Sequence, residues 1–173
     1  MRQLGPTDIK RLHREWNRRT AGRLALILDG VQSPFNVGAI VRTAAAWRVE
    51  HLYLAAGTTP PSSAKAAKVS LGTERYLSWS VFERGPDAAD AAREDGFSVV
   101  GLELADAAVP LHRLSAGPDV CLAVGNEDHG LSAATLAAVD AVGFVPLTGR
   151  VASLNVATAA AVALYELRRR EWS

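Results

Sequence analysis

The sequence has a single cysteine, Cys121, so no disulfide can form within the chain. That residue lies in an apolar run and reads as a buried core thiol. No stretch approaches the roughly eighteen uninterrupted apolar residues of a membrane-spanning helix. The opening MRQLGPTDIKRLHREW lacks the apolar core of a signal peptide, and a cytoplasmic protein is expected. Several ligand fingerprints are missing too. G-x-G-x-x-G does not occur after any strand. Gly125 and Gly130 have the spacing of a phosphate loop, but Leu131 stands where such loops need lysine. Glu127 and Asp128 would also repel phosphate. There is no G-x-S-x-G nucleophile turn. His13, His51, His112 and His129 show no metal-ligand spacing, and no metal is expected.

Charge is nearly balanced overall, at +1, but it is unevenly placed. Residues 1–23 carry seven basic and two acidic side chains, net +5, which leaves −4 for the rest. Such asymmetry points to a polyanionic partner. Thr7–Asp8 can cap a helix running to about Thr20. Ile9, Leu12 and Trp16 fall on one stripe that could dock on a core, while Arg14, Arg18 and Arg19 lie off it.

From residue 24 onward helix and strand patterns alternate. Leu24–Leu28, His51–Ala55, Tyr76–Phe82, Phe97–Leu104, Val120–Val124 and Val142–Leu147 read as strands. Uninterrupted apolar runs suit strands buried on both faces. Helices are predicted over Val37–Trp47 with Asn36 as N-cap, Ser62–Val69, and Pro86–Asp95 closed by Gly96. A short Ala-rich segment opens at Leu131–Ser132, and a long helix runs from Leu154 to about Arg170 with Ser153 as its cap. Arg168, Arg169 and Arg170 suit the negative end of that helix's dipole. Residues 105–118 read as loop. The pattern predicts one domain: an α/β fold with a mostly parallel sheet and helices on both faces, in which residues 1–23 are an added basic helix.

Three polar blocks sit at the ends of predicted strands, where ligands bind in parallel sheets. They are Asn36-x-Gly38-x-x-x-Arg42-Thr43-Ala44, Gly125-x-Glu127-x-x-Gly130-Leu131-Ser132, and Val145-Pro146-Leu147-x-Gly149-x-x-x-Ser153-Leu154-Asn155. In this order and spacing they resemble the TrmH-like (SpoU) branch of the SPOUT RNA ribose methyltransferases, over about residues 24–167. The resemblance implies a deep C-terminal trefoil knot, about residues 119–166, and a homodimer whose interface lies near the active site. It also implies transfer of a methyl group from S-adenosyl-L-methionine to a ribose 2′-hydroxyl of RNA. In that light Gly125, Val145, Leu147, Gly149 and Leu154 are cofactor-binding positions, with Gly149 permitting a tight turn. Arg42, Asn36, Glu127, Ser153 and Asn155 are the catalytic candidates.

Arginine stays protonated in proteins. Arg42 is therefore expected to orient the 2′-hydroxyl and stabilise the developing alkoxide rather than act as a base. Arg14, Arg18, Arg19 and Arg42 are the candidate RNA contacts, with tRNA favoured over rRNA as the substrate. Base methylation by the same fold, or an inactive RNA-binding relative, are the competing readings.

Overall fold

The computed structural model describes residues 1–172. Seven strands form one sheet: β1 (Leu24–Asp29), β2 (Val49–Ala55), β3 (Ser78–Val81), β4 (Ser98–Leu102), β5 (Val109–Pro110), β6 (Val120–Gly125) and β7 (Ala141–Phe144). Their order is β3-β2-β1-β6-β4-β7-β5, and every neighbouring pair is parallel. β1 and β6 are buried along their whole length, as their uninterrupted apolar sequences require. They pair in the middle of the sheet, with Asp29 opposite Gly125 at their carboxyl ends.

The described residues form six α-helices: α1 (Pro6–Arg18), α2 (Pro34–Ala46), α3 (Ala64–Ser70), α4 (Gly85–Glu94), α5 (Ala133–Ala138) and α6 (Val156–Arg169). Successive strand residues face opposite sides. Leu24, Leu26 and Leu28 therefore join Val37, Ile40 and Val41 of α2 and Ala160 and Leu164 of α6 on one face. Ala25 and Ile27 join Ala88, Ala89 and Ala92 of α4 on the other. The chain steps from β1 outward through β2 to β3, then crosses back to β4 with β6 inserted between. This reversal opens a crevice at the carboxyl ends of β1 and β6.

Details differ from the sequence pattern. The cap of α2 is Ser33, not Asn36, and its hydroxyl accepts the N–H of Asn36 at 3.4 Å. The cap of α6 is Asn155, not Ser153, with Oδ1 accepting from Ala157 N–H (3.0 Å) and Thr158 N–H (3.3 Å). A short edge strand, β5, arises within residues 105–118 by pairing with β7. β7 itself ends at Phe144, so Val145–Leu147 leaves the sheet as loop.

Arg168 is not a solvated end charge. It is 2% exposed and donates to the carbonyls of Gly22 (2.7 Å), Trp47 (2.9 and 3.0 Å) and Arg48 (3.2 Å) and to Glu171 Oε1 (2.8 Å). It thereby satisfies carbonyls that would otherwise be buried without donors.

α1 buries none of its residues. Ile9 and Leu12 of its apolar stripe stay about 40% exposed, because α2 and α6 already cover that face of the sheet. Only its last turn and the residues just after it are seated. Trp16 packs on Trp172 at 4.9 Å between centroids, and Trp172 Nε1 donates to Thr20 Oγ1 at 3.1 Å. Arg48 also donates to Asn17 Oδ1. Among the described residues no helix is long and apolar enough to cross a membrane.

Candidate active site

The loop after β6 is folded tightly upon itself and clamped from three sides. Asn126 and Gly130 exchange backbone hydrogen bonds, both at 2.9 Å, and Asn126 Nδ2 donates to the carbonyl of Gly30 at 2.8 Å. Leu131 N–H donates to Glu103 Oε2 and Ser132 N–H to Asp29 Oδ2, each at 3.0 Å. Gly125 must be glycine here. A Cβ on it would stand 2.0 Å from the Gly130 carbonyl carbon, and the backbone of residues 130–131 fills that space.

This rigid loop presents Glu127 to the start of α2. Oε1 accepts from Ser33 N–H (2.9 Å) and from Asn36 Nδ2 (3.0 Å), and Oε2 accepts from Gln32 N–H (3.3 Å). Desolvation pushes the carboxyl pKa up, but the bonds from Asn36 and the backbone N–H groups outweigh it and hold Glu127 below its ordinary value. Glu127 is therefore a stable anion at neutral pH. Asn155 Nδ2 in turn donates to Asn36 Oδ1 at 3.0 Å. One side chain from each of the three sequence blocks thus joins a single chain, Glu127–Asn36–Asn155. Because Ser33 caps α2, the Asn36 amide is free for this purpose.

A small, open apolar cleft lies near this chain. Its wall is Leu102, Leu104, Phe144, Val145, Leu147 and Leu154, with Glu103 and Ser153 as the polar members. Of the predicted cofactor positions, Val145, Leu147 and Leu154 line it. Gly125 does not, since it is sealed beneath the 130–131 backbone. Gly149 does not either: its φ is not left-handed and no atom lies within 4 Å of a Cβ built there, so the expected glycine-only turn is absent. Glu103 is a site residue that the sequence motifs do not mark. Its signal is position alone, just past the carboxyl end of β4 beside β6 and β7.

Arg42 stands apart from the polar chain. Six residues along α2 from Asn36 place it about 9 Å further down the helix and roughly 240° around it. It is exposed, in an open groove of about 930 Å³ shared with Thr43, Trp47, Ala161, Val162 and Tyr165. It makes no ion pair or hydrogen bond among the described residues. Arg14, Arg18 and Arg19 lie in the half of α1 that is seated by Trp172 and Arg48, beside the C-terminus of α2. That is the end of the sheet opposite the cleft. Arg19 is paired there with Glu15 at 3.0 Å and stacked on Trp16, and Arg14 Nε donates to the Lys10 carbonyl at 3.4 Å.

The model of the SpoU rRNA Methylase family matches residues 23–165. A relative from Bacillus subtilis strain 168, the 23S rRNA (guanosine(2553)-2'-O)-methyltransferase RlmP, is 34% identical over 157 residues, covering 90% of this chain and 62% of its own length. The chain thus spans less than two thirds of that relative. An AdoMet-bound rRNA methyltransferase from Sinorhizobium meliloti superposes with a TM-score of 0.79 at 29% identity, over 87% of this chain and 58% of that one. The TrmH/SpoU tRNA modifying enzyme of A. aeolicus gives a TM-score of 0.75 at 27% identity, over 95% and 84%.

Proposed function

Because the chain belongs to the SpoU rRNA Methylase family, we propose that it transfers a methyl group from S-adenosyl-L-methionine to a ribose 2′-hydroxyl of structured RNA. The observation that carries this reading is the meeting of Glu127, Asn36 and Asn155 near the cleft lined by Val145, Leu147, Ser153 and Leu154. The cleft's apolar walls suit the faces of a planar ring, and Glu103 and Ser153 supply polar atoms for its edges. When bound, the sulfonium supplies an electrophilic methyl group. The 2′-oxygen forms the new bond to carbon, the S–CH₃ pair returns to sulfur, and the hydroxyl proton leaves.

The chain's own residues serve alignment. Glu127 fixes the first turn of α2 through Ser33, Gln32 and Asn36, and Asn36 fixes Asn155 at the start of α6. Holding reacting groups in line is worth on the order of 7–11 kcal/mol in favourable cases. Arg42 orients the 2′-hydroxyl and stabilises its developing charge. Since Arg42 faces away from its own protomer's polar chain, the reading includes a homodimer. The α2–α6 groove with Val162 and Tyr165 then forms the interface, and Arg42 reaches toward the partner's cleft. The trefoil knot belongs to the same reading, carried by the family resemblance alone. Arg14, Arg18 and Arg19 enter it only as contacts to RNA remote from the reacting ribose.

The test is transfer of labelled methyl from S-adenosyl-L-methionine to tRNA and to 23S rRNA, followed by alkaline hydrolysis. The label is expected in alkali-resistant dinucleotides of one of these RNAs. Arg42→Lys, which keeps the charge but not the planar fork, is expected to lose most of the transfer. Label found on a base, or no transfer to either RNA, would overturn the reading.

A further inference from the structure

A second group of cations lies off the basic N-terminal helix, on the segment that follows β1. From Gly30 to Phe82 the chain has five basic residues against two acidic ones, Glu50 and Glu74, within a body that is otherwise net negative. Both acids are engaged. Glu50 accepts from Arg23 Nε at 3.0 Å, and Glu74 accepts the Ser70 hydroxyl at 2.5 Å. Lys65 and Lys68 lie three residues apart on α3, both exposed, and neither has an ion pair among the described residues. Arg75, with its guanidinium 4.8 Å above the ring of Tyr76, comes just before Ser78 opens β3 and so lies toward the other end of the sheet.

Topology places α3 beside the site. The loop leading to it leaves the carboxyl end of β2 and is tied to the site rim, where Thr59 Oγ1 donates to the Gln32 carbonyl at 2.6 Å. α3 then packs against the first half of α2. Gly38 faces it so closely that a Cβ there would meet the Ala66 carbonyl oxygen at 2.5 Å and Val69 Cβ at 2.6 Å. Phe35 is three residues before Gly38, on the same side of α2. It directly precedes Asn36 of the polar chain, and it is 64% exposed. An exposed ring at the rim, followed along the chain by two exposed lysines without ion pairs, combines a π-face with cations. Single-stranded and looped RNA binds such surfaces through phosphates and stacked bases.

We propose that Phe35, Lys65 and Lys68 form the surface that holds the RNA segment flanking the methylated nucleotide. Phe35 stacks on a base, and the two lysines contact phosphates. This rests on the proposed function and names the surface through which that site engages its substrate.

The experiment measures binding of whichever RNA, tRNA or 23S rRNA, accepts methyl from the intact chain, as a function of salt. Lys65→Ala/Lys68→Ala is expected to reduce the slope of log affinity against log salt by about 2. Phe35→Ala is expected to weaken binding by about tenfold with the slope unchanged. Both variants keep S-adenosyl-L-methionine affinity, which excludes misfolding. Unchanged slope and affinity in both, with the intact protein active, would overturn the surface and leave the functional reading standing. So would a change in oligomeric state of the lysine variant, which would make α3 a protein contact. An intact protein that neither binds nor methylates either RNA would overturn the functional reading itself.

Discussion

The two ends of the parallel sheet are built on different terms. At the amino end, Trp16, Trp47, Tyr165 and Trp172 pack ring on ring at 4.9–6.3 Å, and buried Arg168 has every stretch of its guanidinium engaged by carbonyls and Glu171. At the carboxyl end, the polar chain Glu127–Asn36–Asn155 stays largely in solvent, and Leu147, Val151 and Phe35 are exposed beside it. The first arrangement occupies its polar groups internally and holds α2, α6 and the residues on either side of β1 together. The second keeps lone pairs, N–H groups and apolar surface available, which only a ligand would use. The contrast teaches where stability and chemistry are separated in this fold, and substitutions at each end should separate them in turn.

The largest effect is expected at the amino end. Arg168→Met removes the donor from Glu171 Oε1 and from the carbonyls of Gly22, Trp47 and Arg48, and should cost about 3–5 kcal/mol in chemical unfolding. Methyl transfer per folded molecule should be unaffected. A smaller stability effect and a larger functional one are expected for Glu127→Gln, which sets an amide NH₂ either against the Gln32 N–H or against the donors of Ser33 and Asn36. Its cost in unfolding should be about 1 kcal/mol, with transfer reduced by at least roughly tenfold.

The same pair of proteins tests the carboxylate's titration. The folded pKa of Glu127 lies below the ordinary value of about 4.3. Its stabilising contribution is therefore full above that value and is lost as pH falls through the folded pKa. The difference in melting temperature between the two proteins should be flat at neutral pH and close only in the acid range.

Asn155→Ala removes the α6 cap and the bond to Asn36, and should cost about 1 kcal/mol, read by thermal melting. Gly149→Ala should lie within about 0.5 kcal/mol of the native protein and keep cofactor affinity, because nothing surrounds that position. A strongly destabilised Gly149→Ala would bring back the tight turn inferred from sequence.

Legibility followed the range of the forces involved. β1 and β6 were readable because a strand buried on both faces is apolar at every position. The three polar blocks were readable through their resemblance to a family's motifs, and one side chain from each meets in the Glu127–Asn36–Asn155 chain. The caps were misread by two or three residues. Ser33, Asn36, Ser153 and Asn155 are all suitable cap types, and tertiary partners decide among them: Glu127 claims Asn36, and the bond to Asn36 places Asn155. The burial of Arg168 was not readable at all, since its acceptors Gly22 and Trp47 lie 146 and 121 residues away. β5 was missed because two residues, one of them a proline, carry no pattern and exist as strand only by pairing with β7. The position of Arg14, Arg18 and Arg19 at the far end of the sheet likewise depends on where Trp16 finds Trp172.

The most direct test of the central claim is calorimetric titration of the purified protein with S-adenosyl-L-methionine, beside a Leu154→Trp variant that fills the cleft. Micromolar binding by the native protein and its loss in the variant are predicted. Equal binding by both would place the cofactor elsewhere, and no binding at millimolar cofactor, with or without tRNA and 23S rRNA present, would contradict the claim outright.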